Sequence, residues 1–280
     1  MNLILQGLDP DPAVVARVAA LAGAGAPAAL DRHAWRIEGV QLSDAGRAQL
    51  DAACLAAHLD YALVDSRMRL DDFKLLAMDM DSTLITIECI DEIADMQGLK
   101  PQVAAITEAA MRGEIEFQES LTRRVALLKG LDAAALQRVY DERLALSMGA
   151  QPMLDAIRAA GLKTLLVSGG FTFFTDRMKS RLQLDYTHSN VLEIDGGKLT
   201  GRVVGGIVDA DEKKRTVERV CAAIGCTPGQ AIVMGDGAND LNMMRIAGLS
   251  IAFRAKPVVR AQADVALNFV GLDGILNLFS

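Results

Sequence analysis

A short apolar run, Leu75-Leu76-Ala77-Met78, passes without a turn residue straight into Asp79-Met80-Asp81-Ser82-Thr83. Such a run is long enough for a fully buried strand. Side chains two apart on an extended chain point the same way, so Asp79 and Asp81 can share one pocket. In open α/β sheets, ligands bind just beyond the carboxyl ends of the strands. Two carboxylates there are costly unless a cation sits between them or one keeps its proton. Asp and Ser are also common in turns and helix N-caps, and the stretch alone fits that ordinary reading equally well.

The remaining chain narrows the choice. Its 280 residues carry a net charge of −7 and few aromatics, 4% of the total. That argues against a polyanion-binding surface or a stacking platform for single strands, so no nucleic-acid partner is expected. Cys54, Cys89, Cys221 and Cys226 show neither a Cys-x-x-Cys spacing nor a histidine cluster. They are expected to be free, buried thiols in a reducing compartment. No basic leader precedes Leu3, and Arg17 and Pro27 interrupt the best alanine-rich stretch. No run reaches the roughly 18 apolar residues of a membrane span. The expectation is a cytoplasmic protein without a membrane partner.

Residues 1–68 read as a separate small unit: strand Leu3–Gln6, a helix Pro12–Ala22 capped by Asp11, and one or two strands in Ala29–Val40. A helix capped by Ser43 and a closing strand Tyr61–Val64 complete it. This order resembles ferredoxin-like amino-acid-binding (ACT) domains. An amino-acid ligand, a dimerising role that would make a homodimer, and mere packing all stay open for it. Ser66–Asp72 reads as a linker.

Residues 88–148 read as a run of helices, one starting at Pro101, with breaks at Gly113 and Gly130. Phe117, Leu121, Arg124 and Leu128 fall on one helical stripe, which places Arg124 among apolar residues. A guanidinium there needs an anion, and an internal pair with Glu88 or Glu92 is the ordinary solution. The α/β pattern resumes with a helix Met153–Ala160 and a strand Lys163–Val167. Ser168-Gly169-Gly170-Phe171 follows, read as a glycine-rich turn opening a helix, whose N–H groups can cradle an oxyanion. Asp195-Gly196-Gly197 marks a hairpin. Lys213 and Lys214 sit in the first turn of a helix from Asp211, either solvated or reaching the pocket. Ala231–Met234 is a further strand, ending in Gly235-Asp236-Gly237-Ala238-Asn239-Asp240, a second acidic strand end suited to magnesium.

Taken in order, Asp-x-Asp-Ser-Thr, Glu88, Ala110-Met111-Arg112-Gly113-Glu114, Ser120-Leu121-Thr122-Arg123-Arg124-Val125, Ser168-Gly169-Gly170-Phe171, a lysine and Gly235-to-Asp240 resemble the haloacid dehalogenase superfamily, and within it the phosphoserine phosphatases. The match spans roughly residues 73–272. It implies an α/β fold with a Rossmann-like doubly wound parallel sheet at residues 73–87 and 149–280. A helical cap is inserted at 88–148, and the α+β unit at 1–68 lies outside the match.

The resemblance also implies a magnesium-dependent hydrolase of O-phospho-L-serine, acting last in serine biosynthesis through an aspartyl-phosphate. Asp79 would be the nucleophile and Asp81 the general acid and base. Asp79, the Asp81 main-chain carbonyl and Asp236 would hold Mg2+. Ser168, Gly169 and Lys213 (or Lys214) would bind the phosphoryl group, Asn239 would orient the substrate, and Asp240 would support metal or lysine. Arg124 would grip the substrate carboxylate and Glu88 its ammonium, under Met111 and Phe117. Rival readings are a superfamily relative acting on phosphohomoserine or phosphoethanolamine, and an amino-acid-sensing regulator without activity.

Overall fold

The computed structural model describes residues 1–23, 25–112 and 114–279, the side chain of Met111 excepted. The chain opens with β1 (Asn2–Gln6), α1 (Pro12–Ala20), β2 (Ala28–Ala29), β3 (Ala34–Ile37), α2 (Asp44–Ala56) and β4 (Asp60–Val64). The strands form one antiparallel sheet in the order β2-β3-β1-β4. Both helix starts are set by side chains: Asp11 accepts from the Ala13 N–H at 2.8 Å and Ser43 from the Gly46 N–H at 3.1 Å. Alternation along β1 divides its residues between two faces. Leu3 and Leu5 pack with Val15, Val18 and Leu50 of the helices. Ile4 instead joins Ala62 and Val64 against Phe73, Leu272 and Ile275 of the rest of the molecule. The ferredoxin-like arrangement expected from element order is present, with two short strands in the 29–40 stretch.

That second face is fastened by polar contacts as well. The buried Asp60 carboxylate accepts the N–H groups of Asn268, Phe269 and Val270 at 2.7, 2.8 and 2.9 Å. The Arg36 guanidinium donates to the Phe279 carbonyl at 2.6 Å.

The main sheet begins with β5 (Leu75–Met78), followed by four helices, α3 (Cys89–Asp95), α4 (Lys100–Met111), α5 (Phe117–Ala126) and α6 (Ala134–Glu142). Then come α7 (Ala150–Ala159), β6 (Lys163–Phe171), α8 (Thr172–Leu182), β7 (Tyr186–Asp195), β8 (Lys198–Val204) and α9 (Ala210–Ile224). The chain closes with β9 (Ala231–Gly235), α10 (Leu241–Met244), β10 (Leu249–Phe253), α11 (Pro257–Arg260) and β11 (Val265–Leu267). Strand order is β11-β10-β9-β5-β6-β7-β8, parallel except for the β7–β8 hairpin. Leu75, Leu76, Ala77 and Met78 are all 0% exposed. Burying each leucine contributes about 1.5–3 kcal/mol, so a charge in place of Leu76 would break the sheet at its centre.

The hairpin ties the helices after β5 to the sheet. The Gly130 N–H donates to the Leu199 carbonyl and the Leu199 N–H to the Leu131 carbonyl, each at 2.8 Å. Gly201, at φ +80°, passes so close to the end of α5 and the turn after it that a Cβ would lie 3.2 Å from the Ala126 carbonyl oxygen and 2.9 Å from the Lys129 Cβ. Cys54, Cys89, Cys221 and Cys226 are free thiols. Among the described residues no helix is long and apolar enough to cross a membrane.

Candidate active site

β5 ends level with its neighbours: Met78 pairs with Leu166 of β6 and Met234 of β9. Three strand ends therefore deliver Asp79, Ser168 and Asp236 to one edge of the sheet. The Asp79 N–H still bonds to the Met234 carbonyl at 3.0 Å, after which the chain leaves the sheet in a wide turn closed by the Ile85 N–H on the Met80 carbonyl, also 3.0 Å. Ser82 takes φ 54° within it, a left-handed geometry costing roughly 1–2 kcal/mol. Its hydroxyl donates to Glu88 at 2.7 Å, which draws that acid toward the pocket.

A cavity of about 630 Å³ opens there, lined by Asp79, Asp81, Glu88, Phe117, Arg124, Ser168, Gly169, Asp236 and Asn239. These nine are all candidates named from the sequence. Met111 ends α4, and its side chain lies outside the described residues. Lys213 and Asp240 lie beneath the floor, both 0% exposed.

The Lys213 ammonium is 2.8 Å from Asp79 Oδ2 and 2.7 Å from Asp240 Oδ1. Lys214 turns outward, 3.9 Å from Glu218. Asp240 folds back on its own turn and also accepts the Gly237 N–H at 3.0 Å. Only glycine permits this at position 235, where a Cβ would sit 2.2 Å from Asp240 Oδ2.

Charge dominates the site. Burial would lower the Lys213 ammonium, but Asp240 and Asp79 outweigh it and raise it. Burial raises the Asp79 carboxyl well above its ordinary range, with Lys213 pulling the other way. Burial, then the charge of Glu88, pushes Asp81 up to about 8. Burial, then Asp240 and Glu88, pushes Asp236 up to about 7. One lysine does not balance these carboxylates. Carboxylate oxygens of Asp79, Asp236 and Asp240 lie within 4.8 Å of one another, and the buried Asp81 Oδ1 has no partner among the described residues. A hard divalent cation with oxygen ligands fits such a set.

The Ser-Gly-Gly stretch corrects one expectation. It is the end of β6, which continues to Phe171 through a register shift after Val167, and not a turn. The Ser168 hydroxyl accepts the Gly170 N–H at 2.8 Å, which leaves its own proton free for the cavity. A Cβ on Gly169 would lie 3.1 Å from the Phe117 ring, and one on Gly170 would lie 3.1 Å from Asp81 Oδ2. The glycines give room to α5 on one side and to the acid on the other.

Arg124 has no internal ion pair among the described residues. Glu92 goes instead to Arg143 at 3.5 Å, and Glu88 accepts from Ser82. The Arg124 Nε is buried without a partner. Burial lowers this guanidinium, against the charges of Asp91, Glu88 and Asp81.

Several residues were missed from sequence. Asn190 donates to the Gly169 carbonyl at 2.8 Å and accepts the Val208 N–H at 2.9 Å, holding the cradle from β7. Gln118 donates to Asp209 at 2.7 Å, joining α5 to the cap of α9. Asp209 was readable as an N-cap, whereas nothing in the sequence marked Asn190. Lys256 and Asp91 also line the cavity.

Residues 73–248 match the family model of haloacid dehalogenase-like hydrolases, the class that this sheet and its acidic strand ends define. A curated phosphoserine phosphatase of a Polaromonas species is 59% identical over 216 residues, covering 75% of this chain and 92% of that one. A solved hydrolase of the same superfamily from Salmonella enterica serovar Typhi superposes with TM-score 0.89 at 35% identity, covering 100% of this chain and 99% of that one. A phosphoserine phosphatase solved as a phospho-aspartyl intermediate analogue superposes with TM-score 0.70 at 36% identity, covering 74% of this chain and 99% of that one. The chain belongs to the phosphoserine phosphatase family of these hydrolases.

Proposed function

We propose that the protein hydrolyses O-phospho-L-serine to L-serine and phosphate through an aspartyl-phosphate on Asp79. The observation that carries this reading is Arg124, which has no ion pair among the described residues, whose buried Nε has no partner among them, and which lines the same cavity as the Asp79–Asp81 pair. An apolar stripe holding an unpaired cation is costly, and a substrate carboxylate answers it as a two-pronged acceptor. Glu88, across the same cavity, suits the ammonium group. The segment 88–148 then acts as a cap and selects an amino acid, while the strand ends act on the phosphate.

The steps follow from the side chains. Phosphate-monoester hydrolysis is so slow uncatalysed that enzymes accelerate it up to ~10²¹-fold, and one acid or base supplies only about 10²–10⁴. Positioning and charge must supply most of the rest. Asp79 is oriented by the Met80 N–H at 2.7 Å and by Lys213. Its carboxylate attacks phosphorus in line, and the P–O bond to serine breaks as the new one forms. Asp81, which burial keeps protonated to about pH 8, gives its proton to the serine oxygen. As a carboxylate it then takes a proton from the water that attacks the aspartyl-phosphate, which frees phosphate and restores Asp79.

Lys213 spends two of its three N–H donors on Asp79 and Asp240 beneath the floor, so it acts on the phosphoryl group through Asp79, whose charge it offsets, and not as the direct phosphate ligand expected from the resemblance. The Ser168 hydroxyl and the Gly169 N–H take phosphoryl oxygens, and Asn239 orients the substrate. Asp79, the Asp81 main-chain carbonyl and Asp236 would hold Mg2+. When bound, the ion would offset the negative charge that carboxylates and phosphate bring together. Asp240 supports the lysine. Phe117, over Gly169, limits water, and Met111 is assigned the same part.

The test is phosphate release from O-phospho-L-serine with magnesium, with EDTA and with Asp79→Asn, beside phosphohomoserine, phosphoethanolamine and an aryl phosphate. Magnesium-dependent release that prefers phosphoserine and vanishes in Asp79→Asn is expected. Preference for another phosphate would overturn the cap assignments, and no release from any would overturn the enzymatic reading.

A further inference from the structure

The cavity holds one cation that the proposed mechanism leaves unused. Lys256 precedes α11 and lines the cavity at its solvent side. It is exposed, and among the described residues it forms no ion pair. The other two cations have fixed tasks, Lys213 beneath the floor between two carboxylates and Arg124 on the cap.

The backbone that presents Lys256 is pinned. Its N–H donates to the Asp236 carbonyl at 3.1 Å, and its carbonyl accepts the Val259 N–H at 2.9 Å. Just before it, Arg254 takes φ 44° and donates its N–H to the Leu267 carbonyl at 2.7 Å. Pro257 follows, fixing the start of α11. The ammonium therefore hangs by a flexible stem from a rigid base beside an acidic pocket.

Phosphoserine reaches this site as a net anion, and the cavity it enters is also lined by the acids Glu88, Asp91 and Asp236. Like charges at a cleft slow association, and one well-placed opposite charge restores it. Building on the phosphoserine reading, we propose that Lys256 is the capture residue of the site. Its ammonium takes the phosphate group at the mouth, passes it to the Ser168–Gly169 cradle, and holds the phosphate product on its way out.

The experiment compares wild type, Lys256→Met and Lys256→Arg in steady state on O-phospho-L-serine at low and high salt, with inorganic phosphate as inhibitor. Lys256→Met should lose about tenfold in kcat/KM at low salt with kcat held within about twofold, the low end for removal of a steering charge. Near 0.5 M salt the Debye length is only about 4–5 Å, and the deficit should shrink to about twofold. Inhibition by phosphate should weaken in parallel, and Lys256→Arg should recover most of the loss. No deficit, an equal deficit at both salts, a loss confined to kcat, or a loss explained by a higher magnesium requirement would each overturn the proposal. If the wild type did not turn over phosphoserine, the proposed function would fall. Calorimetric binding of inorganic phosphate to wild type and Lys256→Met would then decide the role of Lys256, equal affinities overturning it.

Discussion

The Lys213 ammonium lies 2.8 Å from the Asp79 carboxylate, and the lysine exposes nothing to solvent. A buried cation so placed both orients the nucleophile and supports the fold. Removing one partner of a buried pair costs about 3–5 kcal/mol, because the other charge is left without compensation. Lys213→Met should lower metal-free stability by about that much in urea titration, and should reduce turnover at least about 10²-fold. Lys213→Arg should restore neither, since a fully enclosed site has no room for the longer fork.

Arg124 should divide substrates. Losing a buried charge-assisted contact costs about 2–5 kcal/mol, or roughly 30- to 4,000-fold. Arg124→Ala should show a fall of that order in kcat/KM for phosphoserine. A small aryl phosphate, which has no carboxylate to grip, should change by less than about threefold under the same assay. Equal losses on both would remove the arginine from substrate recognition.

Stability of the metal-free protein should fall as pH rises. Asp81 and Asp236 have folded-state values of about 8 and about 7, above the ordinary carboxylate range. From about pH 4 to 8 the folded chain thus binds protons that the unfolded chain has released, and the slope of stability with pH is negative. Thermal melts with EDTA should show a lower Tm at pH 8 than at pH 6. Magnesium should raise Tm more at pH 8, where it no longer competes with those protons.

Gln118 fastens α5 to the Asp209 cap of α9, and Phe117 packs over Gly169 of β6. Deleting the exposed Gln118–Asp209 bond costs about 1 kcal/mol, close to fivefold. Gln118→Ala should raise KM for phosphoserine about that much and leave kcat within about twofold, as expected if closure helps retain substrate.

Much of this site was readable because its chemistry is local. Asp79-x-Asp81 and Gly235-to-Asp240 each announce a strand end within a few residues, and both reach the cavity. The choice between Lys213 and Lys214 was not readable, because a helix places adjacent residues about 100° apart and only packing decides which points inward. The internal partners that the helical stripe offered Arg124, Glu88 and Glu92, are near it in sequence, yet Ser82 and Arg143 take them. Asn190 and Lys256 come to the site from β7 and from beyond β10, with no motif to mark them. The helix after Gly149 begins at Ala150 rather than Met153, since Gly149 at φ 78° ends the preceding turn. Proline at position 152 falls in the first turn, where it is tolerated.

The three N–H groups held by Asp60 bear on how the molecule melts. Were residues 1–64 to peel away, those donors and the Phe73, Leu272 and Ile275 surface would meet water together. Neither half would lose only its own contacts. The small sheet and the catalytic sheet are thus one cooperative unit, and heat should unfold them in a single transition. Residues 65–72 form a hinge in covalent terms only, and a cut there should leave both pieces together.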